Sequence, residues 1–531
     1  MGLSQAPAAL TRGTLWHRIP AEEGGEAQVE SYDVAVIGGG IIGCSAANHL
    51  TAAGFRTILM ERGDIGGATS GRTSRLQYCG LSYFSRFRSV LGALAHPLES
   101  WESVELARRA MRDRSAFVRD TPERVRPITF YFPLHRDASE PLWKVRVGFA
   151  LLERLDRGGV PLDIEYLPPS TARHDPLLSH LRDPDRLASI VRYTEYQFDW
   201  PERICVDAAM HAEAGGATIA NYRPVTGLAR EGEGWTISSD DQRSGRAEAI
   251  RAKAVVNAAG VWVDQLTSGS RLPVPRLNQG FKGVNVVIRL PEPFRGKGFE
   301  MMTRGGEPFY VIPWDDLHYL GPRNRPHDGD PDGFRAAEAE VVDLIEEMNF
   351  QFPSLKLRRD DVLYSWAGVR PRTARPGHPG GSSAVMLHDL APHGLSGYYV
   401  YTGGLLMTHR AAGRSIAAAV ARRTAPTGGV RPVPSSARLF PANHNTPPIA
   451  SAYKHVSLSD LRFAAAQEHV RDLDDLMFRR VRIGWSERMG AEIAHDTAAA
   501  VRDVMGWSPA EAATQAEAYI ARLQRDFQLR V

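Results

Sequence analysis

Gly38-Gly39-Gly40-Ile41-Ile42-Gly43 carries glycines at the spacing that lets a chain turn tightly beside a pyrophosphate, and an acidic residue, Glu61, closes the following strand. Gly38 permits the turn, Gly40 lets the backbone approach a phosphate, and Gly43 allows a helix to pack closely on a strand. The helix that follows would aim its partial positive charge at the phosphates. Glu61 is placed to bind both hydroxyls of an adenosine ribose, and its charge would repel a 2′-phosphate, which disfavours NADP. The plain alternative is a structural glycine turn with a solvent-facing Glu61.

Two other segments bear on which dinucleotide is meant. Thr69-Ser70-Gly71-Arg72-Thr73-Ser74-Arg75 is rich in hydroxyls and arginine and could wrap a second phosphate and a ribityl chain. Gly403-Gly404, between a strand and an Ala-rich helix, would aim another helix N-terminus at a ligand, where it would stabilise an anionic reduced flavin ring. Either loop alone reads equally well as a capped helix start. Together with the first turn they point to FAD.

The elements that must position these groups follow from pattern. Residues 32–37 are a β-branched run suited to a buried parallel strand, 44–53 an Ala-rich helix ended by Gly54, and 56–60 a second strand. This is a βαβ unit. Helical periodicity dominates 91–124, and 127–193 mixes short strands and helices. Strands are expected at 254–257, before Ala258-Ala259-Gly260, and at 398–401, before a helix over 408–422. Residues 424–448 are rich in Pro, Ser and Asn and read as a linker. The last helix has a clear start, with Ser508 as N-cap, Pro509 in the first turn and Glu511 completing a capping box.

At 531 residues the chain is too long for one compact core. A net charge of +3 is too small at this length to suggest a nucleic-acid-binding face. Cys44, Cys79 and Cys205 are widely spaced, which supports neither a disulfide framework nor a zinc site, so no metal is expected and a reducing cytoplasm fits. Residues 1–30 lack the apolar core of a signal peptide and read as a flexible leader. No stretch approaches the roughly 20 apolar residues needed to cross a bilayer, so membrane contact is expected to be peripheral at most.

From about Tyr32 onward the sequence resembles the FAD-dependent, aerobic-type glycerol-3-phosphate dehydrogenases, within the D-amino-acid-oxidase-like flavoproteins. The resemblance is carried by the glycine turn, Glu61-Arg62-Gly63-Asp64, the 69–83 segment, and Tyr196-Gln197-Phe198-Asp199 with Arg203. It continues through Asn257-Ala258-Ala259-Gly260-Val261-Trp262, Val311-Ile312-Pro313-Trp314, Ser365-Trp366-Ala367-Gly368-Val369-Arg370-Pro371, Thr402-Gly403-Gly404 with Thr408-His409-Arg410, and a helical tail around 473–482. It implies an α/β (α+β) protein in which a Rossmann-like FAD-binding domain is interleaved with an antiparallel-sheet substrate domain and followed by a helical C-terminal domain. The implied division is FAD domain 31–95, 190–270 and 360–425, substrate domain 96–189 and 271–359, linker 426–450 and helical domain 451–531. Arg62, Ala259 and Gly260 join Gly38, Gly40, Gly43, Glu61, Thr69, Ser70, Thr73, Ser74, Arg75, Gly403 and Gly404 as expected FAD contacts.

The same resemblance breaks down at the substrate. Arg370 is kept, but Ser82, Leu405 and Leu387 stand where the family has cations, Asn285 and Tyr78 stand where it has histidines, and Cys79 replaces a glycine. Each charge-assisted bond to a phosphate contributes roughly 1.5–3 kcal/mol, so losing two or three weakens phosphate binding by orders of magnitude. Arg323 and Arg325, and after them Arg372 and Arg375, are the candidates to replace those cations. Asn285 cannot act as a general base, which leaves Tyr78 or His409 for the proton and Tyr83 or Tyr78 to orient the substrate. The reading is an FAD-dependent oxidoreductase that moves hydride from a CH–OH group to flavin N5, on a substrate other than glycerol 3-phosphate, with a quinone or oxygen as electron acceptor. Alternatives are a true glycerol-3-phosphate dehydrogenase with a relocated phosphate site, an amine-oxidising flavoenzyme, and a flavin-binding protein without turnover. A homodimer is compatible with all of them.

Overall fold

The computed structural model describes residues 29–81, 97–136, 141–268, 274–332, 335–441 and 446–530. Its first sheet runs Met386–Asp389, Tyr398–Thr402, Arg246–Asn257, Ser31–Ile37, Thr57–Met60 and Thr218–Ala220 in spatial order. The four strands from Tyr398–Thr402 to Thr57–Met60 pair in parallel, and so does Thr218–Ala220 at the end. Parallel strands covered on both faces need continuous apolar runs, and Val34, Ala35 and Val36 are fully buried. Helices Ile41–Ala52, Pro201–Ala214 and His409–Ala421 pack together beside this sheet. The first and last cross closely because Gly413 lacks a side chain; a Cβ there would lie 2.4 Å from His49 Nδ1.

The second sheet runs His378–Ser382, Val362–Arg375, Asn278–Ile288, Leu317–His327, Pro308–Trp314, Lys297–Met302, Val125–His135, Leu187–Phe198 and Leu76–Gln77. Its pairs are antiparallel except Lys297–Met302 with Val125–His135. The expected boundaries at 190 and 360 therefore need moving. Leu187–Phe198 and Val362–Arg375 belong to the second sheet, not to the nucleotide layer. Their ends carry Phe198 and Arg370-Pro371, which lie where the two sheets meet.

The helical region expected at 91–124 is described from Pro97, as the helix Pro97–Asp120. Residues 426–441 hold no helix or strand, yet they are tied down. Thr427 N–H donates to Asp33, Arg431 N–H to the Ala52 carbonyl, and the Asn48 amide to the Pro434 carbonyl at 3.0 Å. The C-terminal helices Leu458–Gln467, Ala494–Met505 and Pro509–Phe527 share one apolar core with the second sheet. Ser508 caps the last of them as expected: its Oγ accepts from Glu511 N–H at 3.2 Å, and Glu511 Oε2 accepts from Ser508 N–H at 2.7 Å. Among the described residues no helix is long and apolar enough to cross a membrane.

Candidate FAD and substrate site

A cavity of about 680 Å³ opens where the two sheets meet. One wall is built from the carboxyl ends of the parallel strands, at Ile37–Gly38, Met60–Glu61, Ala258–Gly260 and Gly403–Met407. That is where an open α/β sheet offers its loops to a ligand. The other wall comes from the second sheet and presents Leu76, Tyr78, Gly283, Asn285, Pro308, Tyr310, Pro322, Asn324, Gly368 and Arg370.

The first wall has the shape a dinucleotide needs. Gly38 holds φ +111°, and a Cβ on Gly43 would sit 1.8 Å from the Gly38 carbonyl oxygen, so turn and helix close on each other. Helix Ile41–Ala52 begins at Gly40, which has no side chain to cap it, and Gly40, Ile41 and Ile42 line the cavity, so the positive end of the helix lies at its wall. Ser70 Oγ accepts from Ile41 N–H at 3.0 Å and brings the 69–75 loop against this turn. The Glu61 carboxylate accepts from Gly39 N–H at 2.6 Å and Gly63 N–H at 2.8 Å. Burial pushes the Glu61 pKa up, and these two bonds oppose it. The acidic Glu61, the helix start at Gly40 and the glycine-cleared surface fit FAD.

The expected FAD contacts divide on inspection. Gly38, Gly40, Glu61, Arg62, Thr69, Ser70, Thr73, Ser74, Arg75, Ala259, Gly260, Gly403 and Gly404 all line the cavity. Gly43 acts one layer behind it. The Arg75 guanidinium is already committed to Glu202, at 2.9 Å with both side chains 1% exposed, and it lies 4.1 Å from the centre of the Trp485 ring. It therefore braces the loop instead of gripping a phosphate. Arg62 stacks 4.2 Å over Trp262 and pairs with Asp332.

The second wall separates the substrate candidates. Arg370, Tyr78 and Asn285 come together. Gly283 makes room for Arg370, since a Cβ there would lie 3.1 Å from its Nη2, and Arg370 Nη2 donates to Asn324 Oδ1. Burial lowers the Arg370 pKa to about 10, which keeps the guanidinium charged at neutral pH. Asn285 lines the cavity, but its Oδ1 is turned into the protein against Gly321 and meets no donor among the described residues. Tyr83 lies outside the described residues.

His409, Arg323 and Arg325 are not brought to the cavity, and that corrects the sequence reading. His409 is buried in the helix bundle, with Nδ1 2.8 Å from the Leu406 carbonyl and its ring edge-on to Phe117. Burial lowers its pKa to about 3, so it is a neutral packed group. Arg323 is held by Asp343 at 2.6 Å and Glu307 at 3.3 Å. Arg325 is exposed. The reason is the period of two along a strand: Asn324, opposite Gly283, faces the cavity, so its neighbours must face away. Arg372 stacks on Phe281 and bonds Ser383, and Arg375 is exposed; neither lines the cavity. Cys79 is fully buried outside the lining. Sequence reading missed Tyr310 and Asn324, and for Asn324 the alternation itself was the available signal.

The chain was compared with known proteins. It matches the family "FAD dependent oxidoreductase" over residues 33–425. It is similar to the glycerol-3-phosphate dehydrogenase of Synechocystis sp., with 28% identity over 76% of this chain and 72% of that one. It is also similar to the D-erythritol 1-phosphate dehydrogenase of Brucella abortus, with 29% identity over 72% of each chain. The fold is shared with the crystal structure of the glycerol-3-phosphate dehydrogenase from Bacillus halodurans complexed with FAD, at a TM-score of 0.67 and 21% identity, covering 94% of this chain and 95% of that one. With its cavity at the carboxyl ends of the parallel strands and its FAD-fitting turn, the chain belongs to the family of FAD dependent oxidoreductases.

Proposed function

We propose that this FAD-dependent enzyme oxidises a CH–OH group of a polyol-like substrate other than glycerol 3-phosphate and passes the electrons to a quinone or to oxygen. FAD, when bound, supplies the two-electron acceptor for the hydride. The observation that carries the reading is the charge the second sheet contributes: among its described lining residues Arg370 is the one cation. Arg62, Arg72, Arg75 and Arg223 line the cavity from outside that sheet, Arg62, Arg75 and Arg223 in ion pairs and Arg72 on the Ala367 carbonyl. A phosphate dianion held by one guanidinium lacks most of the charge-assisted bonds that make such sites tight. Leu405 lines the cavity where the resemblance calls for a lysine, and Arg323 is already neutralised by Asp343.

In this reading Arg370 holds an anionic or carbonyl oxygen of the substrate. Asn285 bonds one hydroxyl, and Tyr78 orients the hydroxyl that reacts. A substrate carrying adjacent hydroxyls satisfies both groups at once. The similarity to a D-erythritol 1-phosphate dehydrogenase favours a second reading, a longer phosphorylated polyol whose phosphate lies toward Arg370. Anaerobic mixing of the holoenzyme with glycerol 3-phosphate, D-erythritol 1-phosphate, unphosphorylated polyols and amines separates the cases. Bleaching by polyols and not by glycerol 3-phosphate is expected. Rapid bleaching by glycerol 3-phosphate would establish a relocated phosphate site instead, and bleaching by amines alone would remove the alcohol reading.

A further inference from the structure

An alcohol that loses hydride must also lose its hydroxyl proton, and Asn285 cannot take it. The described cavity wall that carries Asn285 also offers two phenols, those of Tyr78 and Tyr310, and both lead to the same buried carboxylate. Glu300 sits mid-strand in Lys297–Met302, 4% exposed, and does not itself line the cavity. Tyr78 OH donates to its Oε1 at 3.1 Å, Tyr310 OH to the same oxygen at 3.3 Å, and Tyr193 OH to Oε2 at 2.5 Å.

The arrangement is set by the sheet. Tyr310 is the cross-strand partner of Glu300, Tyr193 comes from Leu187–Phe198, and Tyr78 follows Leu76–Gln77. The charged and titratable described groups facing Glu300 are these three tyrosines, Glu195 and Cys79. Arg114, the nearby cation, is spent on Glu195 at 3.5 Å, and Glu195 Oε1 also accepts from Cys79 N–H at 2.7 Å. Burial raises the Glu300 pKa to about 7, the Glu195 charge adds to the rise, and the three phenols restrain it. Burial and the Glu300 charge push Tyr310 well above an ordinary phenol, so the phenol can pass a proton on but cannot stay ionised beside Glu300.

We propose that Glu300 receives the substrate's hydroxyl proton, relayed through the Tyr78 phenol, with Tyr310 as a parallel route. The inference rests on the alcohol-oxidation reading above. The substrate O–H bond breaks and its proton goes to Tyr78 Oη, while the proton already on Tyr78 moves along its existing hydrogen bond to Glu300 Oε1. The substrate C–H pair leaves as hydride to FAD, the oxidant, and the carbon becomes a carbonyl. Glu300 acts through the tyrosines and is therefore a positioning residue that stores the proton.

Infrared titration of the oxidised holoenzyme, with no substrate present, tests the store directly. The difference between wild type and Glu300→Gln is expected to be a protonated-carboxyl band that disappears as the pH rises through about 7. Tyr78→Phe should keep the band and move its midpoint up, because a bond that favours the carboxylate is gone. Anaerobic flavin reduction by D-erythritol 1-phosphate and by erythritol tests the relay. The wild-type rate is expected to fall about tenfold per unit below the Glu300 midpoint, and Glu300→Gln to be slower by about a hundredfold or more with a flat profile. Glu300→Asp is expected to restore part of the pH dependence. Absence of the band, or bleaching by Glu300→Gln with the wild-type pH profile, would overturn the relay alone. If no alcohol in the screen bleaches the flavin, the alcohol reading falls and the relay falls with it.

Discussion

Asp64 and Arg480 form a bidentate pair, Nη1 to Oδ2 and Nη2 to Oδ1 both at 2.7 Å, with each side chain 1% exposed. Arg479 Nε closes on the same carboxylate at 2.5 Å. Asp64 belongs to the loop after Glu61, and both arginines belong to the C-terminal part, so this cluster fixes that part against the nucleotide loop.

Replacing Asp64 by Asn leaves the buried Arg480 guanidinium without its carboxylate partner, while Arg479 keeps Asp474 and Asp475. The expected loss is about 3–5 kcal/mol, read from the midpoint of denaturant unfolding. The pH dependence has a definite sign. Burial alone would raise the Asp64 pKa, but Arg480 and Arg479 overcome it and hold the carboxyl well below the usual carboxylate range. A depressed folded-state pKa contributes stability above the unfolded value, and that stability is lost as the pH falls toward the folded one. Wild type should therefore lose stability in acid more steeply than Asp64→Asn.

Gly43 and Gly260 separate two ways a glycine can matter. A Cβ at Gly43 meets a backbone oxygen at 1.8 Å, whereas at Gly260, with φ +59°, it meets open space. Gly43→Ala is expected to purify without yellow colour or fail to fold. Gly260→Ala should still fold, at a loss of about 1–2 kcal/mol for the left-handed backbone.

Glu61→Gln keeps the shape of the side chain and removes its charge. Charge-assisted bonds contribute roughly 1.5–3 kcal/mol, so FAD affinity should fall about ten- to hundredfold in a fluorescence titration of apoprotein. An unchanged affinity would remove Glu61 from the FAD site.

Arg370→Met should lower kcat/KM for whichever polyol bleaches the flavin by about ten- to hundredfold, with the resting flavin spectrum intact. Arg323→Ala, on the opposite face of its strand, should change it less than about twofold. Equal losses in the two variants would mean that the assignment of strand faces is wrong.

Glu300 also makes a stability prediction that needs no substrate. Its pKa is raised from 4.5 to about 7, so the folded state holds the proton more tightly than the unfolded chain. The stability of wild type relative to Glu300→Gln is expected to be greatest below pH 4.5 and to decline by about 3 kcal/mol as the pH rises through 7.

Much of the nucleotide layer is legible in the sequence because its determinants are local. The Gly38–Gly43 turn, the buried run before it, Glu61, the Gly403-Gly404 turn and the Ser508 cap each depend on residues a few positions apart, and the structure forms each of them. Two readings failed where the determinant was not local. Arg323 and Arg325 looked like substrate cations until pairing with Asn278–Ile288 set which face of their strand meets the cavity. His409 looked available until helix packing buried it.

The sequence by itself determined the cofactor class and the layered α/β plan, since backbone conformation and apolar periodicity are written in short segments. The tertiary structure alone decided the character of the second wall. Strand pairing placed Tyr78, Tyr193 and Tyr310, which are far apart along the chain, around Glu300, and it turned Arg323 toward Asp343 and away from the cavity. Side chains alternate across a strand, so a one-residue change of register inverts which of them meet; only the folded sheet sets that register.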